Sequence, residues 1–206
     1  MIIIFVNFVR PDMEDKKVIL SLFDYSGRWP SFYNEGYDVY CIDIKRGIDI
    51  LELSVDDLPS KVHGILAAPP CTDFAGSGAQ YWKAKDLDGR TDKSLELIDK
   101  TLSLISHFKP AFWALENPVG RLPTLRPVLG KPWYFNPCDF AGYGYPEEAY
   151  TKKTGLWGNF NTPIKKPLPV SGPNPIMALG GKSERTKELR SMTPLGFSKA
   201  FFERNP

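Results

Sequence analysis

Two short clusters hold the residues best able to do covalent chemistry. In Ala68-Pro69-Pro70-Cys71-Thr72 a thiol follows a rigid double proline, and the small residues Ala75-Gly76-Ser77-Gly78-Ala79 come shortly after. A thiol on a stiff platform, beside a loop able to close over a substrate, suits a nucleophilic cysteine. In Leu115-Glu116-Asn117-Pro118 a carboxylate ends an apolar run. Burial there raises a carboxyl pKa and allows Glu116 to donate a proton at neutral pH. Cys41, flanked by strand residues, and Cys138, in Asn-Pro-Cys-Asp, read instead as inert buried thiols.

The positions of these residues follow from the elements around them. Val18–Phe23, Val39–Ile44, Val62–Ala68 and Ala111–Leu115 are short apolar runs bounded by turn residues, which predicts buried strands. Residues 92–108 place Leu95, Ile98, Leu102 and Ile105 at helical spacing, with Asp92 as an N-cap and Pro110 as a stop. Trp29–Glu35, Ser183–Arg190 and Pro194–Arg204 read as short helices. Tyr134–Phe135 and Leu156–Trp157 read as short strands, and the prolines at 163, 167, 169, 173 and 175 as an extended surface segment. Strands alternating with helices imply an α/β fold, a mostly parallel sheet with helices on both faces. Ligands of such sheets bind at the carboxyl ends of the strands. The clusters at Asp24–Gly27, Asp43, Pro69–Thr72 and Glu116–Asn117 therefore converge.

The first two of these suit a nucleoside-bearing cofactor. A small-residue turn after the first strand admits a ligand close to the backbone, and an acid ending the second strand can take a pair of ribose hydroxyls. The turn lacks the GxGxxG pattern of a pyrophosphate cradle. S-adenosylmethionine, which has no pyrophosphate, fits better.

Composition narrows the field. The chain has 206 residues, 42% hydrophobic and 24% charged, as expected of one ordinary globular domain. No window approaches the roughly 18 apolar residues of a membrane span, and Met1–Val9 lacks the flanks of a signal peptide. Three dispersed cysteines without CxxC and two histidines argue against a disulfide framework, a four-cysteine zinc site or a multi-histidine metal centre. A reducing compartment and no metal are expected. Residues 151–206 carry ten Lys and Arg against three Asp and Glu, whereas the rest of the chain is net acidic. A basic face of this kind suits an anion such as a phosphate backbone.

Pro69-Pro70-Cys71 at one strand end and Glu116-Asn117 at the next resemble the DNA cytosine-C5 methyltransferases, in the same order and at similar separation. The resemblance covers roughly residues 18–160. The runs AAPPCTDFAGSGAQYW, ALENPVGRL, YTKKTGLWGNF and LRSMTPLGFSKAFFERNP look like the compact methyltransferase-like proteins of phages and prophages. It implies a Rossmann-like fold that takes S-adenosylmethionine. Phe23, Asp24, Tyr25, Ser26 and Gly27 would form the cofactor loop, Asp43 the ribose acid, and Ile44, Asp49 and Pro69 further cofactor contacts. It implies that Cys71 attacks C6 of a flipped cytosine while protonated Glu116, with Asn117, holds the base. Lys153 would take the place of the family's base-contacting arginine. Pro70, Thr72, Gly76, Ser77 and Lys152 would face the substrate, and Lys165 and Lys166 the phosphate backbone.

Three departures shape the expectation. Tyr25 replaces the first glycine of the usual cofactor loop and either occludes or reshapes the site. Lysines 152 and 153 stand where the family carries arginines. Only 35 residues separate Gly158 from Pro194, too few for a sizeable target-recognition domain. The chain thus reads as an N-terminal extension (1–17), a catalytic domain (18–160), and a Pro-rich basic segment with C-terminal helices on the same domain (161–206). The expected activity is C5 methylation of cytosine in duplex DNA with little sequence specificity, in the cytoplasm of a bacterium or a phage-infected cell. A free cytosine nucleotide as substrate, an altered donor, and a non-catalytic nucleic-acid-binding relative are the alternatives.

Overall fold

The computed structural model describes residues 16–170 and 183–206. Residues 1–15 of the expected N-terminal extension, and Pro173 and Pro175 of the Pro-rich segment, lie outside the described residues.

Six strands form one sheet: β1 (Val18–Leu22), β2 (Asp38–Ile42), β3 (Gly64–Ala67), β4 (Phe112–Pro118), β5 (Trp133–Phe135) and β6 (Thr154–Asn159). Their order is β2-β1-β3-β4-β6-β5. β1 to β4 are mutually parallel, whereas β6 is antiparallel to both β4 and β5. The sheet is thus mostly parallel, and the fold is Rossmann-like α/β. β1 lies between β2 and β3, so successive connections leave it in opposite directions. That reversal opens a crevice at the carboxyl ends of these strands.

Alternate residues of the buried strands face opposite layers. Leu20, Leu22, Ile65, Ala67, Leu115 and Trp157 pack on one side with Leu95, Ile98 and Leu104 of α2 (Arg90–Phe108), after α1 (Trp82–Leu87). Ile19, Leu66, Phe112, Ala114 and Leu156 pack on the other with Trp29, Tyr33, Phe135 and Phe140. Past the single turn α3 (Leu122–Leu125) come α4 (Glu184–Ser191) and α5 (Leu195–Arg204). From α5, Phe197 and Phe201 are fully buried in the second layer. Each such burial is worth roughly 1.5–3 kcal/mol, so α5 belongs to the core.

Three elements differ from the sequence expectation. Helix α2 begins earlier, at Arg90, with Gly89 at φ +78° as its N-cap. Asp92 lies in the first turn, where its charge suits the helix dipole. Strand β4 runs on through Glu116, Asn117 and Pro118, because β6 opposes them with Leu156, Gly155 and Thr154. The segment expected to be a flexible loop is a 3-10 helix, Gly76–Tyr81, that leads directly into α1. Its start is pinned by Gly76 N–H to Val119 O (2.9 Å) and Arg121 N–H to Phe74 O (3.0 Å). A Cβ at Gly120 would lie 1.9 Å from Phe74 O, so only glycine permits this close crossing.

Candidate active site

The crevice is a cavity of about 580 Å³, within the range of small-molecule sites. Phe23–Ser26 after β1, Asp43–Lys45 and Ile48–Leu51 after β2, Ala68 and Pro70–Thr72 after β3, and Glu188 and Arg190–Met192 of the C-terminal segment line it. Of the residues expected to meet a cofactor, Phe23, Asp24, Tyr25, Ser26, Asp43, Ile44 and Asp49 are among these, and Gly27 and Pro69 are not.

The turn after β1 is built by its own side chains. Asp24 accepts from the Ser26 hydroxyl (2.7 Å), Gly27 N–H (2.8 Å), the Ser21 hydroxyl (3.2 Å) and Trp29 N–H (3.3 Å). Phe23 has φ +61°, a left-handed conformation that non-glycine residues rarely adopt. Such strain tends to cluster at functional sites. Tyr25 is half exposed; its carbonyl accepts from Arg46 Nη2 (2.6 Å), and Lys45 Nζ lies 5.5 Å from its ring centre. Asp43 accepts from Lys45 N–H (2.8 Å), and Asp49 from Leu51 N–H (2.9 Å). Each of those bonds uses one carboxylate oxygen and leaves acceptor capacity for ribose hydroxyls.

The Cys71 turn is braced from below. Its carbonyl accepts from Phe74 N–H (3.0 Å) and Ala75 N–H (2.9 Å). Buried Lys85 pairs with Asp73 (3.0 Å) and also donates to Thr72 O. The Ser94 hydroxyl takes the other Asp73 oxygen (2.6 Å). Arg121 bonds Asp73 O (3.0 Å), Asp86 (2.8 Å) and the Thr91 hydroxyl (2.8 Å), and its guanidinium lies 4.8 Å from the Trp82 ring centre. The nucleophile candidate thus sits on a rigid platform while Cys71 itself stays exposed to the cavity.

Glu116 is nearly buried, at 9% exposure. Burial pushes its carboxyl pKa up, and the Lys152 charge opposes that shift. Although the residue is exposed at the cavity, the protein atoms around its sulfur desolvate it and push the Cys71 thiol up; Glu116 adds to the shift and Lys152 again opposes it. Cys71, Glu116 and Lys152 therefore share one electrostatic neighbourhood, with both acids biased toward their protonated forms. Asn117 Nδ2 donates to Pro69 O (3.1 Å) and ties the end of β4 to the loop before Cys71, while its Oδ1 is buried without a partner.

The basic residues divide. Lys152 donates to Arg190 O (2.8 Å), which links the reacting pair to the cavity wall. Lys153 instead lies over the exposed Tyr134 ring, 4.8 Å from its centre. Lys165 pairs with Asp139 (3.0 Å), and Lys166 covers the Tyr143 ring at 4.0 Å; neither lines the cavity. Gly76 and Ser77 are exposed on the 3-10 helix that follows the Cys71 turn. Sequence reasoning missed Lys45, Glu188, Arg190 and Met192 as cavity residues and the Lys85–Asp73–Arg121 brace. The run LRSMTP carried a signal for the C-terminal wall, but no residue in it has a type that announces its chemistry.

No family model and no curated protein matches the chain. Solved structures do. One is named as a DNA modification methyltransferase encoded within an E. coli prophage, 18% identical, with TM-score 0.43, over 74% of this chain and 53% of that one. Another is the methyltransferase EhMeth of Entamoeba histolytica, 15% identical, with TM-score 0.46, over 82% of this chain and 61% of that one. The chain thus spans between half and two thirds of the length of these two proteins.

Proposed function

We propose that the protein is an S-adenosylmethionine-dependent DNA methyltransferase acting at C5 of cytosine. The observation that carries this reading is that Cys71, which lines a 580 Å³ cavity, is acted on by both the buried Glu116 carboxyl and the Lys152 charge. The walls suit the cofactor. Asp43 and Asp49 offer carboxylate oxygens to a nucleoside, apolar Ile48, Ile50 and Leu51 offer a surface for its base, and the strained Phe23 turn brings backbone to the cavity. When bound there, S-adenosylmethionine supplies an electrophilic methyl group.

The chain's own residues make the other partner nucleophilic. The Cys71 thiol gives its proton to water, and the thiolate sulfur adds to C6 of the pyrimidine. The electron pair displaced from the 5,6 double bond would otherwise become charge on the ring. Protonated Glu116 hydrogen-bonds N3 and relieves that charge, and C5 becomes the nucleophilic carbon. After C5 has been alkylated, transfer of its remaining proton to water and departure of the Cys71 thiolate restore the double bond. Lys152 favours the anionic forms of both acids, so it eases formation of the Cys71 thiolate. The buried, raised carboxyl keeps the proton that the base requires.

A free cytosine nucleotide is the second reading. It is favoured by the short span of 35 residues between Gly158 and Pro194, which leaves little room for a target-recognition domain. Labelled-methyl transfer offered side by side to duplex DNA, single-stranded DNA and dCMP tests both. Label in 5-methylcytosine of duplex DNA is expected. Label confined to the nucleotide supports the second reading, and label in none of the three overturns both.

A further inference from the structure

The cavity has a wall that the cofactor reading above leaves unexplained. Among the described residues, two cations line it, Lys45 and Arg190. Lys45 is paired with Glu188 at 2.8 Å. Arg190, in the last turn of α4, differs: its Nε is buried and has no hydrogen-bond partner. A buried guanidinium donor left unpaired costs free energy in a folded protein. Its place is nonetheless fixed. Lys152, which stands with Cys71 and Glu116, holds the Arg190 carbonyl at 2.8 Å. The following Met192 is met by Arg28 Nη1, at 3.6 Å from its sulfur, and Arg28 is itself anchored on buried Glu148 at 3.0 Å. Glu148 in turn accepts from Leu195 and Gly196 N–H (2.7 and 2.9 Å). The carbonyl of Arg190 and the residues that follow it are thus held, while one of its own donors lacks an acceptor.

The β2 end lines the cavity with Asp43, Asp49 and Lys45, and α4 lines it with Glu188 and Arg190. Lys45 and Glu188 satisfy each other, and the acids Asp43 and Asp49 repel an anion, so Arg190 is the lining cation placed to receive one. We propose that Arg190 receives the α-carboxylate of the methyl donor's amino-acid tail. This carboxylate is the donor's one negative group, and a planar guanidinium matches it with paired N–H donors. The assignment rests on the methyltransferase reading and adds to it the residue that distinguishes a complete donor from its nucleoside fragment.

Calorimetry on the full chain tests it. The ligands are S-adenosylhomocysteine and 5′-methylthioadenosine, which keeps the nucleoside and thioether but lacks the amino-acid tail. The wild type should bind S-adenosylhomocysteine the more tightly. Arg190→Gln should weaken S-adenosylhomocysteine by about 10- to 100-fold, the range of a charge-assisted hydrogen bond, and leave methylthioadenosine within about twofold. Arg190→Lys should recover part of the loss, as a point charge without the fork. Equal loss for both ligands would mean a merely structural arginine and overturn the proposal. Unchanged binding of both would overturn it too, and a loss confined to DNA affinity would reassign Arg190 to phosphate. Failure of the wild type to bind either compound, with or without DNA, would instead bring down the methyltransferase reading itself.

Discussion

Two turns at the carboxyl end of the same sheet put their polar groups to opposite use. After β1, the Asp24 carboxylate accepts four hydrogen bonds, all from residues 21 to 29. Its acceptor capacity is used by the turn that carries it. After β3 and within β4, Cys71 faces the cavity and the Glu116 carboxyl is buried; desolvation acts most on both acids, Lys152 opposes it at each, and Glu116 adds to the shift at Cys71. The supporting bonds of that region belong to neighbours, to Asp73, Lys85, Ser94 and Arg121 beneath Cys71. A carboxylate that satisfies its own backbone is architecture. An acid held in place by other residues, with its own proton uncommitted, is available for chemistry.

The difference is sharpest in what substitution should remove. Cys71→Ser should abolish methyl transfer and leave the thermal midpoint almost unchanged, because the brace below the turn does not use the sulfur. Methyl transfer near the wild-type rate would reject the covalent route. Asp24→Ala should act first on stability. It strands the donors of Ser21, Ser26, Gly27 and Trp29, and should cost roughly 2–4 kcal/mol of stability in urea unfolding, given about 1–3 kcal/mol for each buried group left unsatisfied and partial recovery by water. An Asp24→Ala protein of wild-type stability would erase the contrast between the turns.

Glu116 allows a thermodynamic test free of any substrate. Its pKa is raised in the fold, chiefly by burial. The stability this group permits is therefore full below the unfolded carboxyl pKa of about 4.3 and is lost as pH rises to the folded value, by about 1.4 kcal/mol per pH unit in between. Glu116→Gln has no proton to lose. Its stability relative to wild type should climb across that window and then level off. A difference independent of pH would show that Glu116 is not held protonated. In catalysis the same variant should lose at least about 10²-fold, the usual contribution of an acid–base group.

Much of this arrangement was legible in the chain. Apolar runs ending in Asp, Pro-Pro-Cys and Glu-Asn marked the strand ends, and parallel pairing brings strand ends together whatever else the fold does. Lys153 was harder to place. Residues 152 and 153 are chemically identical and adjacent just before β6, and the fold sets the first near the reacting pair and the second over the Tyr134 ring. The rigidity of Gly76–Tyr81 was hidden for another reason. Glycine-rich sequence signals freedom, and the bonds that remove it come from Val119, Gly120 and Arg121, more than forty residues away. Arg190 was hidden because nothing local distinguishes a helix-end arginine over solvent from one over a cavity.

The smallest expected effect is also the most direct reading of the contrast. Iodoacetamide alkylates thiolate, so the rate at Cys71, followed by peptide mass spectrometry, reports how far its proton is held. Burial and Glu116 raise the Cys71 pKa while Lys152 lowers it. At a fixed pH above the raised Glu116 pKa, where that carboxyl is ionised, Glu116→Gln removes a like charge and should speed alkylation, and Lys152→Gln should slow it. Both changes should be severalfold at most. A lower pKa gives more thiolate, but each thiolate is then less nucleophilic, with a Brønsted slope of about 0.4–0.5, so the rate registers only about half of the pKa change. Asp24→Asn supplies the internal control. Asp24 raises the thiol pKa of Cys41, not that of Cys71. Its removal should therefore quicken Cys41 and leave Cys71 alone. If Glu116→Gln and Lys152→Gln both leave the Cys71 rate where it was, the three groups do not share a field. If Asp24→Asn moves Cys71 as much as Glu116→Gln does, the two turns are electrically one site, and the distinction between an acid that builds the fold and an acid free to act on a substrate fails.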